Sequence, residues 1–424
     1  MGYFGLLRKL IMSSPFLRHN AVFFMGSLGV AALNYLYYPV LGRMLPPAEF
    51  GEVQTLVSIF TQAAIFLSIL TYVTVHITVN ARNEAERNET LLALEHSALL
   101  AGGAVLGVSL LGVPLLQSFF HFSSVWPFIA LIAALGLSIP LMVRMSYLRG
   151  RKQYLKSSLA DGVGSAAKLI LSAVLVVVGL KSFGAMIGLA LSQILSLAVA
   201  TWWAYRAGLR GFGLKRSHLN MEALRPQLRY AGAVFLALAS VTALFSLDMF
   251  AIKHYFSPEQ AGLYAGMTTV ARIVFFVTAP FTGVLLTMVG LKQSRAKNLL
   301  WLFGTLVLTC TVGGAAVLFL VMLPELTIRL LVGGKYLMYA QYLPKLALAM
   351  LLLGIANTLL MYQIALRRYT SGFLAIAVTF FTVVFVAVRH NVPGQVVDDV
   401  LVGSTALAGV AVIMMQKYKL LSKD

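Results

Sequence analysis

Twelve runs of about 18 or more predominantly apolar residues divide this 424-residue chain, each long enough to cross the ~30 Å hydrocarbon core of a bilayer as a helix. They fall at 20–44, 53–79, 93–119, 125–148, 157–180, 183–205, 231–253, 261–289, 299–323, 343–366, 371–388 and 399–416. Lipid offers no hydrogen bonds, so a spanning segment must satisfy its own backbone, and runs of this length do so only as helices. The sequence therefore predicts an all-α, polytopic membrane protein of about twelve transmembrane helices.

Charge then orients the chain. The 33 Lys and Arg outnumber the 14 Asp and Glu, a net +19 that would suit nucleic acid if it formed one surface. Instead the charges sit in short segments between apolar runs, which points to membrane topology and away from a nucleic-acid partner. With the N-terminus inside, 23 basic residues fall in cytoplasmic segments and seven at external ends and loops, and Arg144, Lys168 and Arg272 fall within spans. Each cytoplasmic loop holds at least two basic residues, so an even number of spans is expected, with both termini in the cytoplasm and the chain in the cell inner (plasma) membrane. Residues 1–19 interleave Leu and Phe with Arg8 and Lys9 and are expected to lie in the interface. The run after them is too long for a signal-peptide core and is expected to remain as the first span.

Transport proteins often consist of two repeated halves. A shift of 211 residues superposes Arg18 on Arg229, Pro47 on Pro258 and Gly51 on Gly262, and aligns the turn after the first span with the turn after the seventh. The expected organisation is an interfacial segment 1–19, a six-helix lobe 20–205, a cytoplasmic linker 206–230, a second six-helix lobe 231–416 and a tail 417–424. A site between the lobes is the natural consequence.

Ionisable groups deep in a span are costly and are candidates for function. Arg272 lies eleven residues into the eighth span, near mid-membrane, either facing a cavity or bonded to a neighbouring helix. Lys168 is as deep in the fifth span, where it can contact substrate or reach back toward Asp161 two turns away. Arg144, near the cytoplasmic end of the fourth span, reads as a lipid-headgroup anchor. Gln54, Ser58, Thr61, Ser68 and Tyr72 share one face of the second span, and Ser27, Ala31, Asn34 and Tyr38 one face of the first, with Pro39 able to bend it. Either stripe lines a wet surface or packs helices through small residues and hydrogen bonds. Asp248, in the outer third of the seventh span, is expected near Arg43 and Lys253 as a structural ion pair, or as a gate closing the outer side. Cys310, the single cysteine, lies in an apolar run and excludes an intramolecular disulfide and a Cys-based metal site. No Gly-x-x-x-x-Gly-Lys-Ser/Thr run is present, so no bound nucleotide is expected, and the expected cofactors are none.

The stretch Asn34-Tyr-Leu-Tyr-Tyr-Pro-Val-Leu-Gly-Arg-Met-Leu-Pro-Pro-Ala-Glu-Phe-Gly51 resembles the end of helix one in polysaccharide (O-antigen type) flippases of the multidrug/oligosaccharidyl-lipid/polysaccharide exporter superfamily. Leu148-Arg-Gly-Arg-Lys-Gln-Tyr154, Val178-Gly-Leu-Lys-Ser-Phe-Gly-Ala185, Gly262-Leu-Tyr-Ala265 and Val270-Ala-Arg-Ile-Val274 are similar to later segments of that family, in order. The resemblance implies two six-helix lobes around a cavity with alternating access, and a polyprenyl-diphosphate-linked oligosaccharide as cargo. It places an arginine at Arg272, where forked guanidinium donors suit a diphosphate or acidic sugar. Twelve spans depart from the fourteen of several relatives, the lipid II flippase branch among them. Lys168, Asn34, Gln54, Ser58 and Thr61 complete the expected substrate contacts, and Arg43 and Asp248 the gate. The implied partners are the lipid-linked glycan, membrane lipids, and a polysaccharide polymerase or glycosyltransferases of the same pathway. A cation-coupled multidrug exporter of the same fold is the alternative, although the first span contains no acidic residue and the deepest charges are basic. A membrane glycosyltransferase or ligase has less support, since the longest external loop, 324–342, offers only Glu325 as a carboxylate.

The topology is tested by single cysteines in a Cys310→Ala background. Ser257→Cys is expected to react with an impermeant thiol reagent in intact cells, and Ser217→Cys to be shielded until the cells are opened. Labelling of both, or of the second alone, overturns the orientation.

Overall fold

In a computed structural model, residues 15–211, 221–291 and 293–420 are described, and they form helices joined by short turns. The helices are α1 Pro15–Met44, α2 Pro47–Asn80, α3 Glu84–Phe119, α4 Trp126–Gly150, α5 Tyr154–Leu175, α6 Lys181–Arg206 and α7 Met221–Tyr255. Then follow α8 Pro258–Ala271, α9 Ile273–Met288, α10 Arg295–Met322, a short α11 Pro324–Leu331, α12 Leu343–Ala365, α13 Thr370–Val388 and α14 Pro393–Leu420. Among the described residues nine stretches are long and apolar enough to cross a membrane, ten with the bent pair α8–α9. One of the nine, Tyr154–Arg206, is 53 residues long and doubles back on itself. A π-helical turn Val176–Leu180 ends α5, and Gly179 (φ 96°) and Lys181 (φ 49°) take left-handed conformations that reverse the chain. With α1, the twelve expected spans each have their helix.

Local chemistry sets the helix ends. Proline opens α2, α8 and α14, where its missing N–H costs nothing. Asn83 caps α3 through the Glu86 amide, and Ser257 and Gln260 form a capping box on α8. The helices outrun the apolar stretches: α2 has 34 residues and α3 has 36, about 50 Å each, so both extend well beyond the hydrocarbon core. Similarly α1 starts at Pro15, inside the expected interfacial segment, and α7 at Met221, inside the expected linker. Residues 1–14, most of the cationic linker core (212–220) and the tail end 421–424 lie outside the described residues. The expected external loop 324–342 is instead the amphipathic α11 followed by a 3-10 segment Gly334–Tyr342, which buries Ile328, Val332 and Tyr336.

Helices α1–α6 pack on one another, principally α5 on α6, α4 on α6, α2 on α4 and α1 on α5. In the second half α12 packs on α14, α7 on α13, α10 on α12 and α9 on α10. Small residues bring α5 and α6 close: a Cβ on Gly188 would fall 2.4 Å from Ser172, and one on Gly164 2.9 Å from Ser196. The halves meet where α2 packs against α7 and α8, with a smaller contact of α1 on α9. At the centre of that seam Gly51 faces Gly262, and a Cβ on Gly262 would stand 1.8 Å from the Pro47 carbonyl oxygen. These are the two glycines that the 211-residue shift superposes. Gln54 likewise donates to the Ala265 carbonyl, 211 positions on (3.4 Å). Residue i meeting residue i+211 is the signature of an interface across a two-fold axis.

Gly262→Ala is expected to force α2 and α8 apart and destabilise the protein by about 3 kcal/mol or more, because the obstacle is backbone. Gly103→Ala, whose Cβ meets nothing within 4 Å, is expected to leave stability unchanged or slightly raised. Melting of the detergent-solubilised proteins, followed by intrinsic fluorescence, distinguishes the two.

Candidate functional site

Burial along the central helices is asymmetric. In α2 every residue from Phe50 to Ser58 is buried, whereas most of the helix from Ile59 onward is only half-buried. In α8, Tyr264 to Ala271 are all buried, whereas α9 leaves Phe275 and Phe276 half-buried and Val277 and Val284 exposed. The molecule is thus sealed between its halves at the end where α1 meets α2, here the Pro46 end, and looser toward the end where α2 meets α3, the Arg82 end. Side chains reaching across the seam make the seal. Tyr336 lays its ring on Gly266 and donates its hydroxyl to the Gly42 carbonyl (2.7 Å), and Lys335 donates to the Leu45 carbonyl (2.5 Å). Arg43 donates through Nε to the Leu331 carbonyl (3.1 Å) and also reaches Leu330, while His254 Nδ1 meets the Phe119 carbonyl (2.7 Å). Lys253, fully buried, rests its ammonium 4.9 Å over the Phe122 ring.

Arg272 sits at the junction of α8 and α9, where the chain bends by 42°. Its Nη2 lies 3.0 Å from Asp248 Oδ1 on α7 and donates to the Phe245 carbonyl (3.1 Å), with the guanidinium 4.7 Å over the Phe245 ring. Asp248 also accepts from the hydroxyls of Thr268 (2.7 Å) and Tyr264 (3.2 Å). Both members are buried, at 4% and 0% exposure, while the Arg272 Nε–H finds no protein acceptor. The structure therefore differs from the expectation for the acid: Asp248 pairs with Arg272 and not with Arg43, which binds carbonyls across the seam. The residues 24 apart meet because α7 and α8 form an antiparallel hairpin.

Lys168 takes a neutral partner. Its ammonium lies 2.5 Å from the Asn34 side-chain oxygen and 4.7 Å over the Tyr37 ring, while the Asn34 amide donates to Ser165 (2.9 Å). Asp161, the partner expected by spacing, makes neither a hydrogen bond nor an ion pair with it among the described residues. Lys168 and Asn34 are half-buried and join α1 to α5. On α2, Gln54 donates to Thr269 of α8 (2.5 Å), Ser58 is buried, and the half-buried Thr61 bonds back to the Val57 carbonyl (2.8 Å). The expected residues thus separate into seam contacts (Arg43, Gln54), an ion-paired junction (Arg272, Asp248) and the Lys168–Asn34 pair between α1 and α5, with Ser58 and Thr61 further along α2.

Two further charged groups find their partners outside their own helices. Arg144 is no headgroup anchor: it is 1% exposed and pairs with the fully buried Glu95 at 2.6 Å. Glu95, standing at the start of an apolar run, was the available signal. Glu52, 4% exposed, accepts from the Ser123 amide (2.8 Å) and the Ser182 hydroxyl (2.7 Å), and so ties α2 to the turn after α3 and to the start of α6.

The fold is that of known transporters. An inward-facing multidrug resistance MATE family transporter of the MOP superfamily superposes with a TM-score of 0.75 at 15% identity, over 93% of this chain and 96% of that one. The outward-facing conformation of a MATE transporter gives 0.68 at 18% identity, over 98% and 99%. The lipid II flippase MurJ in an inward closed conformation gives 0.74 at 13% identity, over 93% of this chain and 87% of that one. No curated protein matches in sequence. The family described as "Polysaccharide biosynthesis protein" matches residues 16–289, well over half of the chain. The chain therefore belongs to the polysaccharide biosynthesis protein family.

Proposed function

We propose that this protein is an alternating-access flippase that carries a polyprenyl-diphosphate-linked oligosaccharide from the cytoplasmic to the outer leaflet of the inner membrane. The observation that carries the reading is the one-sided burial of the central helices: a transporter at rest is sealed at one end and open to the other. With the Pro46 end external, as the basic loops imply, the sealed end is outside and the loose end faces the cytoplasm, where a lipid-linked glycan is built. Family membership in polysaccharide biosynthesis supports a glycan cargo, and the likeness to a lipid II flippase supports a lipid-linked one.

Cargo recognition starts from charge. Lys168 keeps its ammonium on a neutral amide, so its charge is the one less cancelled locally and the better first contact for a diphosphate. Asn34 offers a hydrogen bond beside it, and Thr61 offers its hydroxyl from α2. Arg272 retains an unused Nε–H but is held by Asp248, so a cargo phosphate meets it only in competition with that carboxylate. Gln54 and Arg43 act as closing contacts whose hydroxyl and carbonyl partners are released as the outer side opens, and Ser58 lies buried one turn beyond Gln54. A multidrug exporter of the same fold remains the second reading because of the MATE neighbours, but a cationic drug finds no carboxylate among the residues of α1 and meets Lys168 behind it.

Deleting the gene is expected to abolish surface glycan while polyprenyl-linked oligosaccharide accumulates on the inner leaflet. Intact surface glycan together with greater sensitivity to cationic dyes would instead establish the exporter. Lys168→Gln is expected to cut export about ten- to a hundredfold at normal protein level, matching loss of one charge-assisted contact of roughly 1.5–3 kcal/mol, with partial rescue by Lys168→Arg.

The junction pair separates by stability. Arg272→Ala leaves Asp248 buried and unpaired, and protein level is expected to fall in line with a cost of about 3–5 kcal/mol. The double variant Arg272→Met/Asp248→Leu is expected to restore the protein level. If export stays absent in the double variant, Arg272 touches cargo; if it returns, the pair is structural.

A further inference from the structure

The outer face of α6 changes character along one continuous stripe. Leu191, Ile194, Leu195 and Ala198 are exposed and apolar, then Trp202 and Tyr205 are exposed, and Arg206 follows at the helix end. Three cations stand over this aromatic girdle. Arg206 lies 4.3 Å over Trp202, Lys156 from α5 lies 4.8 Å over Trp203, and Arg210 lies 5.9 Å over Tyr205. Trp202 and Trp203 are themselves in contact, with centroids 4.3 Å apart. Among the described residues none of the three cations has a carboxylate partner; the acid on the neighbouring turn, Glu84, is taken by Arg87 and Arg151.

We propose that this corner of the first half, at the Arg82 end, is a binding site for an anionic phospholipid of the surrounding bilayer. The order along the stripe is the order of a lipid molecule: apolar residues for the acyl chain, indole and phenol at the level of the ester groups, and cations at the phosphate. The stripe's continuity names the occupant, because an acidic soluble protein would gain nothing from three apolar turns below the cations. Stacking on rings holds the two guanidinium groups and the ammonium in place while leaving their N–H donors free for phosphate oxygens. Three uncompensated charges on one corner favour a headgroup with two phosphates over one with a single phosphate. The site is separate from the cleft between the halves and does not depend on the cargo proposed above.

The test is lipid retention by the full chain, purified in detergent and presented with cardiolipin, phosphatidylglycerol or phosphatidylcholine, read by native mass spectrometry. Retention is expected to follow cardiolipin over phosphatidylglycerol over phosphatidylcholine. Lys156→Gln/Arg206→Gln/Arg210→Gln is expected to lose on the order of a hundredfold for cardiolipin, about fivefold per charge, with an unchanged melting temperature in phosphatidylcholine. Trp202→Leu, which keeps the charges and the apolar face, is expected to lose a few-fold. Neutralising Arg295, Lys297 and Arg367 on the other half is expected to leave this retention intact. The proposal is overturned if that control loses as much as the triple variant, if the triple variant retains cardiolipin like the wild type, or if millimolar inorganic phosphate displaces the lipid.

Discussion

The crossing of α2 over α8 at Gly51 and Gly262 is the contact around which the two halves are arranged. Only two residues without Cβ atoms let the backbones come this near, and the 1.8 Å that would separate a Gly262 Cβ from the Pro47 carbonyl leaves no room for adjustment. The proline that opens each helix and the glycine four residues on recur at the same offset in both halves, so one short motif builds both sides of the interface. Gln54 then fixes register by bonding to Ala265 and Thr269 one turn further along.

Charge is distributed unequally about that crossing. Arg144–Glu95, Arg151–Glu84 and Lys181–Glu49 lie within the first half, and Arg272–Asp248, Lys345–Asp398 and Arg389–Asp399 within the second. Contacts that cross the seam are made differently: Arg43, Lys335 and Tyr336 donate to backbone carbonyls, and Lys253 rests on an aromatic ring. A buried ion pair leaves an uncompensated charge if its members part, at a cost of several kcal/mol. A side chain donating to a helix-terminal carbonyl loses about 1 kcal/mol when neutral and roughly 1.5–3 kcal/mol when charged, and water can replace the lost bond on both groups. Of the ion pairs only Arg144–Glu95 and Arg272–Asp248 are buried on both sides, so each half holds one pair that is costly to break, while the contacts across the seam are single hydrogen bonds and ring contacts.

The sequence made the membrane class, the span positions and the internal offset legible because apolar run length, basic loops and turn residues are local signals. Pro47, Gly51, Pro258 and Gly262 were readable from the offset, although their meeting in space was not. Partners across helices were the illegible part. Arg144 looks like an anchor in sequence because Glu95 is 49 positions away, and the depth of Asp248 in the membrane suggests Arg43 as its partner without saying which helix lies next to which. Lys168 was expected to seek Asp161 on its own helix, whereas α1 brings the Asn34 amide nearer. Segment 324–342 read as a loop because its apolar residues, at helical spacing, number too few for a span.

Arg272 joins these themes. It stands where α8 ends and α9 begins, and its guanidinium holds α7 through Asp248 and the Phe245 carbonyl together. The bend of 42° at this residue places α8 against the sealed seam and α9 against α10 and α12. An arginine suits that junction better than a lysine, because its fork reaches a carboxylate and a carbonyl at once and its charge survives burial. The same position lies next to Tyr35 and Tyr38 of α1, whose rings meet Phe276 one turn beyond the bend. The pairing of Arg272 therefore bears on the α1–α9 contact as well as on the hairpin, because one residue ends α8, opens α9 and holds α7.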